Sequence, residues 1–161
     1  KPTGKKVKEA RNVDLDASCV TADEFGNILD VIYFSNRKTR NDPIFHTGDN
    51  LTGDGDGDDE QIIVHLNDLP EAVKSIAFTV NAFSAVDFSI VQSAQCRLLD
   101  QNEKELLKYP LESAGNHTAI IMAILVRGDS GWEFKTVGEV CDGRTVHQIK
   151  ESVLSVIRRG V

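Results

Sequence analysis

Six acidic side chains crowd one short run of this sequence: Asp49, Asp54, Asp56, Asp58, Asp59 and Glu60, within "HTGDNLTGDGDGDDE" from His46 to Glu60, with no lysine or arginine among them. At a separation of about 4 Å and an effective dielectric near 20, each close like-charged pair costs roughly 4 kcal/mol. The run is therefore either a solvated loop or a cradle for something positive. Asp54, Asp56 and Asp58 alternate with Gly55 and Gly57. On an extended strand, residues two apart sit roughly 7 Å from each other, too far to share an ion whose oxygens lie at about 2.3–2.6 Å. The glycines reach positive φ and let the chain curl, so the carboxylates can converge. Many oxygen donors on a pliable loop suit calcium better than magnesium or zinc. An EF-hand register starting at Asp54 fails, because the sixth position is Asp59 and the twelfth is His65. Asp14 and Asp16 are candidates to complete a site; the alternative for them is a surface pairing with lysines.

Other chemistry is weaker. "GDSG" at Gly128–Gly131 resembles a serine-protease nucleophile signature, but it lies between two strand-like runs and is expected to be a hairpin turn. The four histidines, His46, His65, His117 and His147, form no zinc spacing. His46 adjoins the acidic run and is a candidate to support it from behind, and His65 reads as structural. Gly53, Gly55 and Gly57 are too closely spaced for a phosphate loop, and their acidic neighbours would repel a phosphate. Cys19, Cys96 and Cys141 show no paired framework, which implies reduced thiols in an intracellular protein, buried in strand-like runs.

The net charge is −7, with 25 acids against 18 bases. Outside the acidic run the balance is 19 to 18, so the acidity is local. Such a chain repels phosphate backbones, and no nucleic-acid role is expected. A hydrophobic fraction of 40% in 161 residues supports a packed core in one domain spanning residues 1–161. No apolar run is long enough to span a bilayer, so the chain is not expected to be transmembrane. Residues 1–12 are basic and read as a tail or an altered N-terminal strand, with an anionic-membrane contact as the alternative. A start at Lys1 is compatible with a fragment or a processed form.

Short strands must position these residues. "VDLDASCV" alternates, with Val13, Leu15, Ala17 and Cys19 on one face and Asp14, Asp16 and Ser18 on the other, which is expected to face outward. "DEFGN" and "DQNEKE" read as turns. "ILDVIYFSN", "QIIVHL", "SIAFTVNAF", "FSIVQSAQCRLLD", "TAIIMAILVR" and "WEFKTVGEV" read as further strands, while "LLKYPLES" has no clear pattern. Trp132 is expected in the core. "RTVHQIKESVLSVIRR" places Val146, Ile149, Val153 and Val156 on one helical stripe. The expected fold is mostly β: a two-sheet β-sandwich with a C-terminal α-helix.

"DLDAS", some thirty residues, "HTGDNLTGDGDGDDE", then "IIVHLNDLPEAVKSIAFTV" and "GWEFKTVGE" together resemble the TerD family of tellurium-resistance and stress-response proteins, a family related to slime-mould cAMP-binding proteins. The resemblance runs from Val13 to about Gly143. It implies a non-enzymatic β-sandwich that binds calcium, two ions at one end, through Asp14, Asp16, Asp49, Asn50, Asp54, Asp56, Asp58, Asp59 and Glu60. It also implies partners among other stress-response proteins and a membrane-associated complex, and a cytoplasmic location peripheral to the membrane. Two departures stand out. The family's glycine-rich start is replaced by "KPTGKKVKEARN", and the "IRRGV" end differs. Two alternatives remain open: a metal-dependent hydrolase or transferase with His46 as general base, and a metal-free acidic domain that binds a basic partner.

Overall fold

The computed structural model describes residues 15–47, 61–82, 88 and 95–160. Its centre is a five-stranded antiparallel sheet. The strands are β1 (Leu15–Ala22), β2 (Ile28–Ile32), β5 (Ser75–Ala82), β8 (Ala119–Gly128) and β9 (Gly131–Cys141), in the order β2-β1-β5-β8-β9. Two hairpins form the second layer, β3 (Ile44–His46) with β4 (Ile62–Val64) and β6 (Gln95–Leu99) with β7 (Glu105–Pro110). The chain ends in a 3₁₀ turn, Val146–Ile149, that runs into helix α1 (Lys150–Arg159).

Both faces of the large sheet are covered, which explains why β5 is buried nearly throughout and β8 is apolar from Ala119 to Val126 rather than alternating. On one face, Val146, Ile149, Val153, Val156 and Ile157 pack on Val20, Ala22, Ala77, Ile121 and Ile124. On the other, the β3–β4 hairpin brings Ile44, Ile62 and Val64 against Cys19, Ile32 and Ile76. The β6–β7 hairpin and the following Leu111–Ala114 turn cover Val80, Ile120 and Met122. Met122 is the extra residue of a bulge, since Phe78 pairs with Ala123 and Thr79 with Ile121. The bulge puts Ile121 and Ile124 under the helix while Met122 and Ala123 join the opposite cluster. The opposing slip in β9 falls beside Gly138, whose φ of +68° suits glycine.

The terminal stripe is buried as its spacing requires, and α1 stops at Gly160 (φ +65°), whose N–H caps Val156 and Ile157. Two β9 side chains hold this end: Lys135 Nζ donates to the Gly160 carbonyl at 2.6 Å, and Glu139 pairs with Arg159 at 2.6 Å. The expected turns are present. Asp23 Oδ1 accepts the N–H groups of Phe25 and Asn27, and Asp100 Oδ1 those of Asn102 and Lys104. "GDSG" closes the β8–β9 hairpin.

Several expectations need correction. The polar face of β1 does not simply face outward. β1 is the second strand of the sheet and α1 covers the far end of that face, so Ser18 is buried and Asp16 half-buried. "ILDVIYFSN" stops pairing with β1 at Ile32, and Tyr33 and Asn36 bridge each other in a turn. Phe88 sits in a 3₁₀ conformation, and the strand around "QCRLL" spans Gln95–Leu99. "ELLKYP", which has no clear pattern in the sequence, is β7. Trp132 is half-buried at the edge of a core cluster, under the Arg127 guanidinium at 4.6 Å.

Candidate metal centre

The acidic run departs from one hairpin and returns to it. β3 and β4 pair in the register Ile44↔Val64, Phe45↔Ile63 and His46↔Ile62. One residue further out, the Thr47 N–H donates to the Gln61 carbonyl at 2.9 Å, and the Gln61 N–H donates to Thr47 Oγ1 at 3.0 Å. These two bonds form a closed neck. Asp49, Asn50, Asp54, Asp56, Asp58, Asp59 and Glu60 lie between its two sides in sequence, and they and Asp14 fall outside the described residues. The hairpin is fixed in turn by burial of Ile44 and Phe45.

Asp16 is the sequence-proposed ligand within the described residues. β1 places it directly opposite Asn81 of β5, where facing Cβ atoms lie about 4.5–5.5 Å apart. Asn81 is fully buried. Its Nδ2 donates to the Gly143 carbonyl at 2.7 Å, which orients the amide, and its Oδ1 has no hydrogen-bond partner. A buried acceptor left unmade costs about 1–3 kcal/mol. A neutral amide oxygen beside a carboxylate is a hard-oxygen pair of the type calcium takes, so these two residues fit the ion the resemblance implies. Among the described residues, no group of three or more His, Cys, Asp or Glu could hold a metal by itself. Asn81 was missed by sequence reasoning, which searched for carboxylates; its one signal was an amide inside the β-branched run "FTVNAF".

Gly143 approaches closely here. A Cβ on it would come within 2.5 Å of Ile149 Cγ2. Its N–H donates to Thr118 Oγ1 at 2.8 Å, and the Thr118 N–H donates to Asp142 Oδ1 at 3.1 Å. The Asn81 amide is thereby tied to the segment that leads into α1.

The histidines are placed apart from one another. His46 is 4% exposed in β3, with its N–H on the Arg37 carbonyl at 3.0 Å. His65 lies just past β4, exposed rather than within the strand, and stacks on Phe45 at 6.2 Å. His117 is 3.5 Å from Asp142 Oδ1, and His147 meets Tyr33 edge-on at 4.9 Å. The cysteines are free thiols. Cys19 is fully buried, and desolvation drives its titration far upward. Cys141 is half-buried and raised chiefly by desolvation, and Cys96 is also half-buried.

The comparisons with known proteins agree with the motif. The TerD domain model matches residues 3–151. The chain is 43% identical over 148 residues to the tellurium resistance protein TerZ of Serratia marcescens, covering 92% of this chain and 77% of that protein. It is 42% identical over 136 residues to the stress response protein SCP2 of Bacillus subtilis, covering 80% and 68%. The crystal structure of a homologue of telluride resistance protein (TerD) from Streptomyces coelicolor superposes with a TM-score of 0.72 at 19% identity, covering 86% of this chain and 84% of that one. That likeness extends to the fold.

Proposed function

The chain belongs to the TerD family, and on that premise we propose that it is a non-enzymatic calcium-binding module of a tellurium-resistance and stress-response system. The neck carries this reading. Thr47 and Gln61 are hydrogen-bonded to each other, so the chain must run out from this pair and back to it with all six acids in between. Confinement between two joined points concentrates like charge, and a divalent cation relieves it.

Bound calcium supplies two positive charges per ion and accepts six to eight oxygens. Asp16 offers a carboxylate from the start of β1, Asp14 a second one two residues earlier in sequence, and Asn81 a neutral oxygen opposite Asp16. Asp49, Asn50, Asp54, Asp56, Asp58, Asp59 and Glu60 supply the remaining donors, with Gly55 and Gly57 allowing the backbone to turn between them. Without a cation their mutual repulsion keeps these carboxylates apart. Once neutralised, the segment presents a defined surface on which another stress-response protein, or a membrane-associated complex, docks from the cytoplasm. No helix among the described residues is long and apolar enough to cross a membrane.

Calcium titration by calorimetry on the wild type and on Asp56→Asn/Asp58→Asn tests the proposal. Saturable binding of two ions, lost or weakened at least about tenfold in the double variant, is expected. A heat signal no larger than dilution in the wild type would overturn it. Calcium that releases a basic partner, rather than recruiting one, would favour the metal-free acidic domain.

A further inference from the structure

Beside the acidic neck the surface changes sign. The connection from β2 to β3 carries "NRKTRND", and its bases Arg37, Lys38 and Arg40 surround a cavity of about 230 Å3 completed by Phe45, His46 and Thr47. Among the described residues, no carboxylate lines it.

The connection is held in place. Tyr33 and Asn36 exchange backbone hydrogen bonds, and Asn36 Nδ2 donates to the Val31 carbonyl at 2.7 Å. Lys38 takes a φ of +66°, a conformation that side-chain-bearing residues adopt rarely. The His46 N–H fastens the Arg37 carbonyl to β3. Among the described residues, two carboxylates of this region are already engaged: Asp30 pairs with Lys38 at 3.1 Å, and Asp42 Oδ2 accepts the Thr39 N–H at 2.9 Å and its hydroxyl at 3.1 Å. Among the described residues, Arg37 and Arg40 have no ion-pair partner. Arg40 lies over the Phe45 ring, 6.0 Å from its centroid, which limits its swing.

We propose that Arg37, Lys38 and Arg40 form a binding site for a phosphate-type oxyanion, with Phe45, His46 and Thr47 as its wall. Two guanidinium forks without an ion-pair partner among the described residues, beside a Lys38 ammonium that Asp30 already shares, match the oxygens of a phosphomonoester. The volume falls below the roughly 300 Å3 at which drug-sized ligand pockets begin, so it suits one phosphate group with a short substituent. A connection fixed before binding spends little entropy on ordering. The site does not depend on the calcium reading.

The test is run in chelator, so that calcium binding and its failure stay separate. Inorganic phosphate and glycerol 3-phosphate are titrated into 15N-labelled protein, and in a parallel arm flotation compares phosphatidate with phosphatidylcholine vesicles. Saturable amide shifts confined to residues 37–47 are expected. Affinity should fall at least about tenfold in Arg37→Gln/Arg40→Gln and hold in Lys108→Gln, a base on β7 far along the chain. Single Arg37→Gln serves if the double variant melts early. Binding of glycerol 3-phosphate points to a soluble ligand and retention on phosphatidate vesicles to a headgroup; either supports the site. Linear shifts with no vesicle retention, or an affinity that ignores the arginine substitutions, would overturn it.

Discussion

Asn81 shows how much one buried amide can decide. Its Nδ2 is committed to Gly143 and its Oδ1 faces no partner, so it combines a structural tie with a spare acceptor opposite Asp16. Asn81→Leu, similar in size, removes both. We expect calcium affinity to drop about tenfold or more, with about 1 kcal/mol lost from stability in chelator because the Gly143 carbonyl loses its donor. Calorimetry and denaturant melts separate these effects. A lost tie with unchanged calcium affinity would remove Asn81 from the ligand set. Asp23 offers a second residue-scale test. The backbone N–H of Asn27, with its side chain and the Phe25 N–H, holds the Asp23 carboxyl below its ordinary 3.8. A depressed carboxyl stabilises the folded state above its unfolded pKa, and the contribution is lost as pH falls through the lower folded value. NMR titration should therefore show the Asp23–Asn27 turn intact at pH 5 and loosening only below about 3.8. Asp23→Asn should flatten that dependence.

At the scale of elements, the terminal helix depends on a close approach and on its apolar stripe. Gly143→Ala would drive a methyl into Ile149 and should cost about 1–3 kcal/mol. Ile149→Ala opens a cavity beneath the 3₁₀ turn and should cost about 2–5 kcal/mol; both are read from urea midpoints. β1, β5, β8, β9 and α1 were legible in the sequence because each buries enough side chains to impose a period, and Val146, Ile149, Val153 and Val156 all proved buried. β3 was not, because three residues between a basic connection and an acidic run are too few to show one. β7 escaped for a different reason. Its burial does alternate, with Leu107 and Tyr109 half-buried between exposed neighbours, but Leu106 is 43% exposed beside Leu107, so the apolar residues do not follow that period in the sequence. Asn81 and the basic connection were passed over because each gains its meaning only from what stands beside it in space.

The whole molecule joins an anion-rich segment, a cation-rich connection and a rigid sheet at one hairpin. Thr47 is shared, forming the acidic neck and lining the basic cavity. The family was legible from the acidic motif and the order of its neighbours. Calcium as the ion on that motif is the central claim, and thermal unfolding in calcium against chelator addresses it most directly. A ligand at a hundredfold excess over its Kd adds about 2.7 kcal/mol to the folded state, which for a domain of this size raises Tm by about 5–10 °C. The account predicts a rise of that order that grows with the logarithm of calcium concentration; a Tm identical in calcium and in chelator would contradict it.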